Sequence, residues 1–176
     1  MKPTWNDVKG SLAGLDRAGL MGLIQDLYAA AKDNQAFLHA RFSLSDDVLK
    51  PYKAAIDRSL WPDMFKNQST SVAKAKKAIS DYKKAISQPK GLAELMVFYC
   101  ERAAGFSNEV AFQDDGYFSA LIRIFEQALK LIGTLPPRDR LDLFARLDTV
   151  RRISHHVGYG IGDVMDDLLA EYAIDE

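Results

Sequence analysis

One stretch constrains this chain more than any other: Ser71 to Ser87, SVAKAKKAISDYKKAIS, writes a complete amphipathic helix. Val72, Ala75, Ile79, Tyr82 and Ile86 recur at steps of three and four residues, which places them on one helical face that must be buried. The solvent arc is lysine: Lys74, Lys76, Lys77, Lys83 and Lys84, with Asp81 the only acid among them. A chain built around such a segment packs helix on helix. From Asp163 to Glu176 the balance reverses, with Asp163, Asp166, Asp167, Glu171, Asp175 and Glu176 and no base. Charge separated in this way points to binding before it points to a reaction.

The same period runs through the rest of the chain. Thr4 and Asp7 have the spacing of a capping box, opening a turn with Trp5 and Val8. Asp16 is placed to cap a helix whose stripe is Leu20, Leu23, Ile24, Leu27 and Tyr28, continued by Phe37, Leu38 and Phe42 beyond Asp33-Asn34. Ser45 is placed to cap the next, carrying Val48, Leu49, Tyr52, Ile56 and Leu60, with Pro51 where an interior proline would kink it. Trp61-Pro62 ends that helix, and Lys66 to Thr70 is a polar loop. Gln88 to Gly91 has turn composition, and the helix after it, Leu92 to Ala104, is apolar on most sides. Leu92, Leu95, Met96, Phe98, Tyr99 and Cys100 mark it as the buried centre.

Gly105 to Gly116 is expected as a loop holding Phe106, Asn108, Glu109 and Phe112. A strong helix follows from Tyr117 to Ile132 with Leu121, Ile124, Phe125, Leu129 and Ile132 inward, and Gly133 is a candidate C-cap. After Pro136-Pro137, Leu141, Phe144, Leu147, Val150 and Ile153 line another helix until Gly158-Tyr159-Gly160 breaks it, and a last one runs from Ile161 to about Tyr172. The expected fold is all-α: a single domain over 1–176 of about seven or eight helices, as an irregular bundle or stacked helical hairpins. Residues 1–62 hold the N-terminal helices and 71–176 the lysine helix with the helical core.

Composition excludes several functions. The 176 residues carry 23 bases and 24 acids, so any affinity for nucleic acid or anionic lipid must come from a local patch. No run of about 18 apolar residues exists for a membrane span, and the opening MKPTWNDVKG lacks a secretory apolar core, so a cytoplasmic location is expected. Cys100, the single cysteine, sits in an apolar run and is expected as a buried, inert thiol.

The blocks AKAKKAISDYKK (Ala73–Lys84), FSNEVAFQDDGYF (Phe106–Phe118) and Gly158-Tyr159-Gly160, with Leu27-Tyr28 followed by Phe37-Leu38, carry a resemblance. Together they are similar to a bacterial domain-of-unknown-function family whose lysine helix has the form SKAKKAISDFKK. The likeness covers most of the chain. It implies a compact helical domain of bacterial type and brings no activity with it. The residue between the glycines is tyrosine here, where the family also uses tryptophan.

Candidate chemistry is sparse. His155, Tyr159 and Asp163 are spaced by four, as a helical metal or proton-transfer site would be, but glycines at 158, 160 and 162 spoil the alignment. His155 and His156 are better placed to cap carbonyls near a helix C-terminus, and Asp163, Asp166 and Asp167 to complement the dipole of the last helix. No metal and no cofactor is expected, because no HExxH, phosphate loop, nucleophile elbow or CxxC pair is present. The polar groups near chain breaks are Asn108, Glu109, His155, His156 and Tyr159, and any small-molecule or peptide cleft is expected there. Nucleic-acid binding through Lys74, Lys76, Lys77, Lys83 and Lys84 would need a second basic element, for which Arg138, Arg140, Arg146, Arg151 and Arg152 are available.

The functional expectation is a noncatalytic interaction or adaptor module with a protein partner, a second copy included. The alternatives are a nucleic-acid-associated regulator using the lysine helix, and a small enzyme using His155 and His156 with Asn108 and Glu109.

Overall fold

The computed structural model describes residues 2–42, 44, 47–66 and 68–172, and among them there is no strand. The chain divides into two compact units, 1–46 and 47–176. The first holds α1 (Trp5–Leu12), α2 (Arg17–Ala30) and α3 (Lys32–Arg41). The second holds α4 (Lys50–Leu60), a 3-10 turn (Met64–Lys66), α5 (Val72–Ala85), α6 (Pro89–Val110), α7 (Asp115–Gly133), α8 (Pro137–Val157) and α9 (Ile161–Glu171). The all-α expectation holds, with nine α-helices among the described residues where seven or eight were expected.

In the first unit the helix starts follow the sequence. Thr4 N–H and hydroxyl both donate to Asp7 Oδ2, at 2.7 and 2.8 Å, and Asp16 Oδ1 accepts from the Gly19 amide at 2.8 Å. Extended backbone at Ala31 separates α2 from α3. The expected burial does not follow. Leu20, Leu23, Ile24, Leu27, Tyr28, Phe37 and Phe42 are all exposed, and Ala40 is the only buried apolar residue among the described residues of this unit. The stripes are present, but three short helices cannot enclose them.

The second unit is organised around α6, which packs against α4, α5, α7 and α8. Leu92, Leu95, Val97, Tyr99, Cys100, Ala103 and Phe106 are buried along it, and burial raises the Cys100 thiol well above its ordinary pKa. α7 contributes Leu121, Ile124, Phe125, Leu129 and Ile132, the row expected from its period. Ala75, Ile79 and Tyr82 of α5 are buried, and Lys74, Lys76, Lys77, Lys83 and Lys84 are exposed.

Several boundaries differ from expectation. Pro51 does not kink α4. It lies in the first turn, where a missing N–H costs nothing, and Asp47 Oδ1 accepts from the Leu49 and Lys50 amides at 3.0 and 3.1 Å. The cap expected at Ser45 lies outside the described residues. α6 starts at Pro89, so Gln88 to Gly91 is its cap and first turn, and the reversal falls on Ser87 with φ 57°. The helix also runs through Gly105. That glycine admits a neighbour: a Cβ there would lie 2.9 Å from the Trp61 ring, which also faces Phe106 at 5.9 Å.

Asn108 and Glu109 are therefore on the last turn of α6 and not in a loop, and the helix ends at Ala111 in a left-handed conformation. In α8 the inward row is Leu143, Leu147, Val150 and Ser154, so Leu141 is exposed while Phe144 and Ile153 are half-buried. Ser154 enters the core because its hydroxyl donates to the Val150 carbonyl at 2.8 Å.

Candidate functional site

Two ion-paired clusters position the polar residues of the second unit. The first joins α4, α6 and α8. Arg146 donates from Nη1 to Glu94 Oε2 at 2.6 Å and from Nε and Nη2 to the two oxygens of Glu101 at 2.7 and 2.9 Å, while Lys53 Nζ reaches Glu94 Oε1 at 2.6 Å. Burial alone would raise the Glu94 carboxyl, but the hydrogen bonds from Arg146 and Lys53 outweigh it and hold it below its ordinary value. Lys90 pairs with Asp139 one step earlier along both helices. The two sets of contacts advance together, so α6 and α8 run in the same direction and their C-terminal ends share one end of the unit.

The second cluster lies at that end. Gly158, Tyr159 and Gly160 all take positive φ, 85°, 56° and 69°, and turn the chain from α8 into α9. The turn folds His155 over the start of α9. Its Nε2 lies 3.0 Å from Asp166 Oδ2 and its Nδ1 3.7 Å from Asp163 Oδ1. Gly162 makes room for the ring, since a Cβ there would sit 2.5 Å from it. Arg151 Nη1 donates to Asp166 Oδ1 at 2.7 Å and holds the Asp166 carboxyl below its usual range. One donor atom each from His155, Asp163 and Asp166 falls within 4.8 Å of the others, a spacing a metal ion could use. Against that use, the two nitrogens of His155 face different carboxylates, and Arg151 already supplies Asp166 with positive charge. The geometry is that of a clamp between α8 and α9.

His156 behaves as the sequence suggests, its Nδ1 3.0 Å from the Arg152 carbonyl. The clamp through His155 was not legible, because the contact crosses a turn whose direction depends on three successive left-handed residues. The Tyr159 ring packs on Phe118 at 5.5 Å. Asn108 and Glu109 are exposed at the same end of the unit, and among the described residues no hydrogen bond, ion pair or ring contact joins them to His155, His156 or Tyr159.

On α5, Lys77 pairs with Asp81 at 2.7 Å, and Lys74, Lys76, Lys83 and Lys84 make no ion pair among the described residues. The arginines expected to extend this basic face are largely committed elsewhere. Arg146 and Arg151 are paired as above, Arg152 pairs with Asp148, and Arg140 donates from Nε to the Leu135 carbonyl.

Compared with family models, curated proteins and solved structures, the chain matches none. Among the described residues no helix is long and apolar enough to cross a membrane.

Proposed function

We propose that the protein is a noncatalytic helical interaction module, and that its contact surface is the apolar face of α2 and α3, paired with the same face of a second copy. The observation that carries this reading is the exposure of Met21, Ile24 and Leu27, at 59%, 44% and 52%, in a unit that encloses no core of its own. A unit of 46 residues is small, and with Ala40 the only buried apolar residue among its described ones it gains little stability from burial of its own.

Charge selects the occupant. Residues 1–46 carry Lys2, Lys9, Arg17, Lys32 and Arg41 against Asp7, Asp16, Asp26, Asp33 and Asp46, so the segment has no net attraction for an acidic or a basic partner. α2 has Arg17 as its only base, far from the basic polar face that an anionic lipid surface selects. A neutral apolar helix pair is complementary to its own copy, and two such pairs close into a four-helix arrangement. The nucleic-acid reading has the exposed lysines of α5 in its favour but lacks a second basic element. The enzyme reading lacks, among the described residues, a hydrogen bond or ion pair between its histidines and Asn108 or Glu109.

Sedimentation equilibrium tests the pairing. A concentration-dependent dimer is expected, and the double variant Ile24→Glu, Leu27→Glu should shift it to monomer while the helical signal of α4 to α9 survives. A wild-type monomer at all concentrations would rule the pairing out.

A further inference from the structure

A hollow of about 550 Å³ opens between the C-terminal half of α4, the loop after it and the start of α5, lined by Arg58, Ser59, Gln68, Ser69, Ser71 and Lys74 with Ala55 at its edge. Among the described residues no carboxylate lines it. Elsewhere in the second unit Lys53, Lys77, Lys90, Arg102, Arg146 and Arg151 each have an acid within salt-bridge distance.

Arg58 and Lys74 have none among the described residues. Arg58 donates from Nε to the Ala54 carbonyl at 3.2 Å, which fixes its stem and leaves the terminal nitrogens uncommitted. The wall is tied down as well. The Ser71 amide donates to the Ser59 carbonyl at 2.8 Å, and the Ser59 hydroxyl to the Ala55 carbonyl at 2.7 Å.

The groups that remain are donors. Ser71 Oγ accepts from the Lys74 amide at 3.4 Å, so its proton is free. Gln68 Oε1 accepts from the Asp63 amide at 3.4 Å, and its NH₂ makes no hydrogen bond among the described residues. The Ser69 hydroxyl makes no bond among the described residues. α5 begins here with no acid in its first turn, and the amides of Val72 and Ala73 have no intrahelical acceptor. Two cations, two hydroxyls, a carboxamide and the positive end of a helix thus converge on one concave surface whose described lining holds no carboxylate.

We propose that this hollow binds a small phosphorylated molecule, its phosphate held between Arg58, Lys74 and the Ser69 and Ser71 hydroxyls. Guanidinium and ammonium donors with hydroxyls match the oxygens of a phosphate monoester. The volume exceeds what a bare phosphate fills and lies within the range of small-ligand pockets. Gln68 is the group left to contact the polar body of the ligand.

Amide chemical-shift titrations of the full chain with inorganic phosphate and with ribose 5-phosphate test the assignment. Saturable shifts confined to residues 58–59 and 68–74 are expected, with the ester binding more tightly than phosphate alone. Arg58→Gln and Lys74→Gln should each weaken the ester by about tenfold or more, and Lys83→Gln, on the same helix but away from the hollow, should leave it unchanged. The side chains are exposed, so unfolding midpoints should match wild type and show that the loss is local. Non-saturating shifts, an equal loss on Lys83→Gln, or no preference for the ester would overturn the proposal. So would a single-stranded oligonucleotide that displaces the ester while shifting Lys76, Lys83 and Lys84.

Discussion

At the scale of single residues, the core distinguishes two buried tyrosines that the sequence presents alike. The Tyr117 hydroxyl donates to the Leu60 carbonyl at 3.0 Å and satisfies the C-terminal end of α4. The Tyr99 hydroxyl is fully buried and has no hydrogen-bond partner among the described residues. Burial raises both phenols far above their ordinary values. Opposite responses to the same substitution are expected. Tyr117→Phe should cost about 1 kcal/mol and leave an orphan carbonyl, whereas Tyr99→Phe should be neutral or stabilising, because it deletes a desolvated group that makes no bond. Urea unfolding of the two variants decides, and equal losses would mean that the Tyr99 hydroxyl has an acceptor after all. Sequence could not separate them, since hydrogen-bond partners 57 residues apart leave no local mark.

At the scale of elements, the periods of α5 and α7 were legible, while the ends of α4 and α6 were not. The inward rows of α5 and α7 are those their spacing implies, because an amphipathic helix on a flat core has one stable rotation. α8 departs from the expected row: Leu141, Phe144, Leu147, Val150 and Ile153 keep a strict step of three, which drifts around a helix of 3.6 residues per turn, so Leu143, Leu147, Val150 and Ser154, at steps of four and three, take the inward face. A glycine inside a helical pattern has the signature of a breaker, but α6 runs through Gly105 because the Trp61 ring occupies the space a Cβ would take. The triplet Gly158-Tyr159-Gly160 was legible as a break, and it supplies a clean backbone test. No atom lies within 4 Å of a Cβ added at Gly158, so Gly158→Ala carries only conformational cost. At φ 85° and ψ −154° that cost is about 1–3 kcal/mol, above the cost of Gly160→Ala in the ordinary left-handed region. Thermal denaturation giving the reverse order would refute this geometry for the turn.

The α4–α6–α8 cluster gives an acid-side prediction at the same scale. The Glu94 carboxyl is lowered in the folded state, so its stabilisation is complete above its unfolded value near 4.5 and is lost as pH falls through the folded value. Asp139 and Asp148 are also lowered and lose stability in the same acid range. Glu94→Gln should therefore flatten the decline below pH 4.5 without abolishing it, and Arg146→Met should cost about 1–3 kcal/mol at neutral pH by stranding Glu94 and Glu101. Parallel stability curves for wild type and Glu94→Gln across the acid range would show that the pair contributes nothing.

At the scale of the whole molecule, near-neutral total charge conceals an uneven distribution. In the α6–α8–α9 region Lys90, Arg146, Arg151 and Arg152 are paired with acids, and Lys74, Lys76, Lys83 and Lys84 of α5 are exposed and make no ion pair among the described residues. A solvated face and a phosphate-tracking face look identical in sequence, because both require only that lysines avoid the apolar stripe. They differ in what charge reversal does. Lys76, Lys83 and Lys84 are exposed and outside the Arg58–Lys74 hollow, so the triple change to glutamate should keep stability within about 0.5 kcal/mol per site. With no arginine row alongside, fluorescence polarisation at low salt should show no retention of duplex or single-stranded nucleic acid by wild type, and the reversal should change nothing. If wild type does bind, and each reversed lysine lowers the slope of log affinity against log salt by roughly 0.7 to 0.9, the face tracks a phosphate backbone and the interaction-module reading gives way.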